Sequence, residues 1–335
     1  MIGTSMLIFI AICLTALVQI PVQAQPVEAL ISLPAHQPEA ITVAFSPDGK
    51  WMATSGANRF VTLRDPSNGE IKRVLTGHPG LVHEVAFSSD STQLASAGAE
   101  GIVIVWSVER GEKILALQAL TDDEGTARSV AFCSDGRLLA TGASDGTIKV
   151  WDIPECKARW QMPRQQSPVT SVKFSPNGKV LATATGNWRQ TSVPGELRLW
   201  DMMTGHEITS LKEHECEIKR IDFDHTGKRL ISAGSDRTIL VWDAAEHAVI
   251  RRFRVNSVPG SLVIFQEGNL LATGDLRGGL NVWNWKNGQR VLRYVGHEGP
   301  VLGIALSPDG KLLATASHDG TIGLWPVAIP ALKIE

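Results

Sequence analysis

Three groups of residues have types and spacing suited to chemistry. A histidine, a hydroxyl and a carboxylate occur together more than once, as His214, Ser232 and Asp236 and again as His297, Thr315 and Asp319. In a hydrolase such a set supplies a base, a nucleophile and an orienting acid. His214-Glu215-Cys216 puts three metal-ligating side chains in a row. Thr185–Gly195, TGNWRQTSVPG, presents Trp188 and Arg189, residue types that dominate binding hot spots. The first two readings are weak. The His–hydroxyl–carboxylate grouping recurs with a repeat rather than standing once at a single site, and no second ligand cluster joins His214. Neither a catalytic set nor a metal site is therefore expected.

The elements that position these groups repeat along the chain. Leu138–Asp152 reads LLATGASDGTIKVWD, Leu230–Asp243 reads LISAGSDRTILVWD, and Leu312–Trp325 reads LLATASHDGTIGLW. A second line precedes each, as FSPDGK at Phe45–Lys50, FSPNGK at Phe174–Lys179 and LSPDGK at Leu306–Lys311. The tryptophan column falls at Trp106, Trp151, Trp200, Trp242, Trp283 and Trp325, with Arg64 in the first copy, in steps of 42, 45, 49, 42, 41 and 42 residues. Within a unit, Val169–Phe174 alternates apolar and polar residues, as a half-buried strand does. Pro and Gly then mark turns before further short strands. Four antiparallel strands at this period make one propeller blade.

Gly77-His78, Gly296-His297, Trp151-Asp152, Trp200-Asp201 and Trp242-Asp243 resemble the WD40 family. The resemblance covers residues 25–335 and implies an all-β, seven-bladed β-propeller. It also implies a buried network in each blade: a His before the first strand, a Ser or Thr in the second, an Asp in the next turn and the Trp of the third. On that pattern the fifth repeat is complete with His214, Ser232, Asp236 and Trp242. The seventh is complete with His297, Thr315, Asp319 and Trp325. The second has His78, Ser96 and Trp106, with Glu100 replacing Asp. The third keeps Thr141, Asp145 and Trp151 but has Asp123 at the His place. The first, fourth and sixth are eroded, with Arg64, Gln165 and Val255 at key places. The His–hydroxyl–carboxylate sets are thus expected to satisfy one another as buried polar groups.

After Trp325 only ten residues remain. Val27–His36 aligns with Gln289–His297, so Val27–Leu33 is expected to complete the last blade and remove the open sheet edges. Ahead of it, Met6–Val18 is an apolar run of 13 residues, and Val22 and Ala24 precede a possible cut. That is a signal-peptide layout, too short to span a bilayer comfortably. Residues 1–24 read as a cleaved signal and 25–335 as one propeller, exported to the periplasm or secreted from a bacterium. An uncleaved membrane anchor is the alternative. Cys133, Cys156 and Cys216 are an odd number without C-x-x-C spacing, so no disulfide framework is expected.

A net charge of −2 gives no bulk attraction to nucleic acid or acidic membranes. The expected function is a non-catalytic scaffold for a protein or peptide, monomeric by itself, with no cofactor, no nucleic acid and no stable membrane insertion. The alternatives are a propeller hydrolase or lactonase, and a small-ligand or glycan-binding propeller using Trp51, Trp160 or Trp285. By resemblance, the d–a and b–c loops form the binding face. His83, Glu84, Arg128, Lys219 and Arg220 are expected there with Trp188 and Arg189, while Asp122–Glu124 adds negative charge beside Arg128. The later repeats offer Gly260, Leu302 and Gly303, so the face is expected to be lopsided toward blades 2 to 5.

Overall fold

In the computed structural model, residues 29, 31–121, 125–187, 189–190, 193–267 and 269–327 are described. Residues 1–24, and with them the expected signal, lie outside them, as do Trp188 and Asp122–Glu124. The described strands form seven four-stranded antiparallel sheets. Each sheet is a meander whose strands are labelled a to d from the inside outward. The a strands are Ala40–Phe45, Val82–Phe87, Ala127–Phe132, Val169–Phe174, Ile218–Phe223, Pro259–Ile264 and Val301–Leu306, for blades 1 to 7. Each touches the a strands of both neighbouring blades, and the last touches the first, so the ring is closed around a central channel.

The chain's two ends seal that ring. Ile31–Pro34 pairs antiparallel with Thr321–Pro326, placing Ile31 opposite Leu324 and Leu33 opposite Ile322. The N-terminal segment thus supplies the fourth strand of blade 7, described from Ile31 on; Val27, Glu28 and Leu30 of the expected Val27–Leu33 strand lie outside the described residues. Pro326 ends its strand, where a missing donor costs least.

The apolar core is distributed between blades. One cluster joins blades 4 and 5 through Ala182, Leu197, Leu199, Ile221, Leu230, Leu240 and Trp242. Another joins blades 7 and 1 through Ala314, Ile322, Leu324, Ala40, Val43 and Met52. Strands b and c are buried on both faces and read as near-continuous apolar runs. The d strands at the rim are largely exposed. Half-buried Trp51, Trp160 and Trp285 pack into these wedges. Arg73 lies 5.5 Å from the Trp51 ring centre and Arg159 4.3 Å from that of Trp160. A guanidinium thus lies over one face of Trp51 and one face of Trp160.

A recurring backbone irregularity matters most for the site. In every blade the pairing of strand a with strand b skips the second residue of a: Ile41, His83, Arg128, Thr170, Lys219, Gly260 and Leu302. A bulged residue leaves the ladder and its side chain is re-aimed. Blade 4 adds a longer excursion between strands b and c. Thr185 N donates to Glu196 O at 2.9 Å, and residues 186–195 lie between. Gly186 N bonds Pro168 O at 3.0 Å, and Gly195 N bonds Cys216 O of blade 5 at 2.9 Å, so both ends of the excursion are tied down.

Candidate functional site

The His–hydroxyl–carboxylate groups are buried inside blades. In blade 5, His214 Nδ1 lies 2.9 Å from Asp236 Oδ2 and Nε2 lies 2.7 Å from Ser232 Oγ. Trp242 Nε1 donates to the same hydroxyl at 2.9 Å. In blade 7, His297 contacts Asp319 at 3.0 Å and Thr315 at 2.7 Å, and Trp325 Nε1 donates to Thr315 at 2.8 Å. In blade 2, His78 bonds Glu100 and lies 2.7 Å from Ser96, which also accepts from Trp106 at 2.7 Å. Each of these hydroxyls is wholly buried and also accepts from an indole, so it is out of a substrate's reach. Gly98 and Gly234 leave room for the ring. A Cβ on either would come within 2.4 Å of His78 Nδ1 or 2.5 Å of His214 Nδ1.

Electrostatics follow this geometry. Burial alone would raise the Asp236 carboxyl, but hydrogen bonds from His214 and Thr238, with the His214 charge, hold it well below the usual range. At Asp319 burial is likewise outweighed by Thr321 and His297, and the carboxyl is lowered to about 2. Both nitrogens of His214 are engaged within its blade, which separates it from Cys216. Among the described residues no group of three or more His, Cys, Asp or Glu could hold a metal ion.

Blade 1 departs from the sequence reading. Its network is rebuilt rather than lost. His36 Nδ1 lies 2.7 Å from Asn58 Oδ1, and Nε2 lies 2.8 Å from Thr54 Oγ1. Arg64 takes the indole's place, with Nε 3.3 Å from Thr54 Oγ1 and Nη1 2.9 Å from Gly69 O. Burial pushes His36 down to about 4, the Asn58 hydrogen bond opposing it and the Arg64 charge adding to it. Among the described residues, blades 3, 4 and 6 keep the indole bond, from Trp151 to Thr141, Trp200 to Thr183 and Trp283 to Thr273. In blade 6 Asp275 occupies the position of Gly234 and accepts from Asn281 Nδ2 at 3.1 Å, while Val255 stands at the His place.

The bulged residues of the seven a strands converge on one cavity of about 320 Å³ at the channel mouth, on the side of the d–a and b–c loops. His83, Arg128, Lys219 and Arg220 are brought together there. Glu84 is not. It is buried, lines the deeper channel, and its Oε2 accepts from Val130 N of the next blade at 3.0 Å. Arg189 is exposed on the blade 4 excursion, and its charge reaches Arg128. Sequence reasoning missed Ile41, Leu81, Thr170, Glu217 and Leu276 as mouth residues. Aligning the second position of each a strand would have found Ile41 and Thr170.

The mouth is charged on one arc. Lys219 Nζ pairs with buried Glu217 at 2.6 Å, and Ser235 Oγ donates to the same carboxylate at 3.2 Å. Arg220 Nη1 donates to Thr170 O at 3.2 Å. Burial, with the Arg220 and Arg189 charges, lowers the Arg128 guanidinium against the pull of Glu217. Burial first, then Arg128 and Arg220, push the His83 ring down to about 4. His83 Nε2 and Arg128 Nε are buried without hydrogen-bond partners.

Comparison with known proteins gives two family matches. One is the family described as WDR90, 4th beta-propeller, over residues 81–248, and the other is WD domain, G-beta repeat, over 28–65 and 288–326. Periodic tryptophan protein 2 of Arabidopsis thaliana is 29% identical over 48% of this chain and 17% of its own length. U3 small nucleolar RNA-associated protein 15 homolog of Xenopus tropicalis is 28% identical over 73% of this chain and 46% of its own. Serine-threonine kinase receptor-associated protein of Mus musculus is 24% identical over 88% of this chain and 81% of its own. The chain thus spans less than half the length of the first two. These relatives overturn the expectation of a periplasmic or secreted bacterial protein. They are eukaryotic, and their names speak of a small nucleolar RNA and a kinase receptor rather than of export. No helix among the described residues is long and apolar enough to cross a membrane. With four-stranded blades closed in a ring of seven, and family matches over residues 28–65, 81–248 and 288–326, the chain belongs to the WD40-repeat family.

Proposed function

We propose that this propeller is a non-catalytic scaffold that binds a protein or peptide segment at the channel mouth. The observation that carries this reading is the convergence of the seven bulged residues on one cavity, with His83, Arg128, Lys219 and Arg220 gathered on one arc. Concave sites with a few converging polar groups are where proteins take ligands. Arg189, exposed on the blade 4 excursion, extends this surface. Relatives named for association with a kinase receptor or with a small nucleolar RNA support a role in assembly rather than turnover.

Selection of a random peptide display library on the purified full chain tests the proposal. Peptides are expected to be enriched, to lose binding when Leu302→Trp fills the mouth, and to keep it when Lys50→Glu alters the opposite face. Absence of enrichment over an unrelated propeller, or equal binding to the Leu302→Trp variant, would overturn it.

A further inference from the structure

Building on the peptide-binding reading, we infer that the mouth takes an acidic side chain and a large apolar side chain presented together by one peptide. Its wall is divided. His83, Arg128, Lys219 and Arg220 come from blades 2, 3 and 5, and Ile41, Leu81, Leu276 and Leu302 come from blades 1, 2, 6 and 7. Leu276 is 39% exposed although it is a large apolar residue.

The two carboxylates at the rim are already engaged. Glu217 is held by Lys219 and Ser235, and Glu39 lies 2.9 Å from His318 Nε2. Arg128 and Arg220 face each other's charge, and buried Arg128 Nε and His83 Nε2 lack partners. Buried donors without acceptors are costly. A carboxylate entering this arc supplies the missing acceptor and screens the two guanidinium groups from each other, and arginine binds carboxylates in paired hydrogen bonds. Three cations against two carboxylates line the cavity, leaving one positive charge, which a monoanion balances and a dianionic phosphate exceeds. The apolar arc argues against a free inorganic anion, since it gives such an ion no partner. About 320 Å³ is small for a ligand site, which suits a pair of side chains.

The experiment starts from the mouth-dependent peptides of the display selection. Their acidic residue is changed to its amide, to lysine and to phosphoserine, and their apolar residue to serine. Affinities are measured against the full-length parent and the Arg128→Gln and Arg220→Gln variants, with thermal unfolding as the check on folding. The amide and serine changes are each expected to weaken binding about tenfold or more. The effect of the amide should shrink to within about threefold in the arginine variants, because the pair is then already broken. A lysine peptide should regain binding to Arg220→Glu. The peptide-side changes need no altered propeller, so a variant that fails to fold leaves the test intact. Mouth-dependent peptides without an acidic residue, or indifferent to the amide change, would overturn this inference while leaving peptide binding standing. Phosphoserine binding tenfold tighter than the carboxylate would overturn the monoanion. Absence of any mouth-dependent peptide would instead remove the peptide-binding reading on which it rests.

Discussion

In blade 5 the His214 ring lies between an anion and a hydroxyl, and the Trp242 indole completes the set. In blade 1 the His36 ring keeps its hydroxyl partner, Thr54, but its other neighbour is the neutral amide of Asn58, and Arg64 replaces the indole. The shared requirement is a hydroxyl that receives a donor from strand c. An indole N–H and a guanidinium N–H both meet it. What changes is the charge left inside. Blade 5 buries a carboxylate that the His214 ring and the Thr238 hydroxyl satisfy. Blade 1 buries a cation, 3% exposed, beside a histidine pushed toward neutrality, and Arg64 Nη2 has no partner. A buried charge without a counter-ion is expensive, so the two blades should differ in what truncation costs and in how they meet acid.

Truncation gives the largest expected difference. Trp242 is almost fully buried between blades 4 and 5, and Trp242→Ala should lose about 3–5 kcal/mol by opening a cavity. Arg64→Met keeps much of the volume and removes the uncompensated cation. Apolar replacement of buried ions is often neutral or favourable, so its cost should stay under about 1 kcal/mol. Denaturant midpoints with slopes measure both. An Arg64→Met variant as damaged as Trp242→Ala would show that the guanidinium is a full substitute for the indole, and the contrast would fail.

Acid should separate the blades by pH window. His36 is held near 4 in the fold against about 6.5 when exposed. Between these values the unfolded chain binds more protons, so stability is fully present above 6.5 and falls as pH drops toward 4. The loss is about 3 kcal/mol for a shift of this size. His83, also near 4, contributes in the same window. Blade 7 responds lower. Asp319, lowered to about 2, contributes stability that is present above its unfolded value near 3.9 and lost as pH falls through about 2, on the order of 1 to 2 kcal/mol. Asn58→Asp gives His36 a carboxylate and should remove roughly half of the loss between pH 6.5 and 4, His83 retaining the rest. Denaturant midpoints across pH report this. An unchanged slope in Asn58→Asp would mean that burial and Arg64, not the missing carboxylate, set the behaviour of blade 1.

Much of this fold was legible because its signal repeats. The tryptophan and FSPDGK columns run in step, so strands, turns and blade number follow from spacing, and the spare strand before Ala40 had a visible place beside Thr321–Pro326. Chemistry that departs from the pattern was harder to see. Arg64 read as erosion because its type differs from Trp, although its reach to Thr54 is equivalent. Glu84 read as a surface contact because strand alternation does not reveal an amide from the next blade. The mouth was only half visible. His83, Arg128 and Lys219 stood out by charge, whereas Ile41 and Thr170 look like ordinary strand residues until the shared bulge is seen. Export rested on the N-terminal composition alone and did not survive comparison with relatives.

Blade 6 offers the finest test of what a network needs. In blades 2 and 5, Gly98 and Gly234 make room for the histidine ring. Blade 6 has Asp275 at that position and Val255 where the ring would stand. The carboxylate is held by Asn281 Nδ2 at 3.1 Å and by the amides of Arg277 at 2.8 Å and Gly279 at 3.1 Å. The two departures therefore compensate each other: one removes the ring and the other fills its place with a satisfied acceptor. Val255→His alone should crowd Asp275, and Asp275→Gly alone should strip Asn281 of its acceptor. Together they restore the ring and its space, so the double variant should be more stable than the sum of the single changes by about 1 kcal/mol. Additive losses, measured as denaturant midpoints in a double-mutant cycle, would mean that blade 6 tolerates the two substitutions independently.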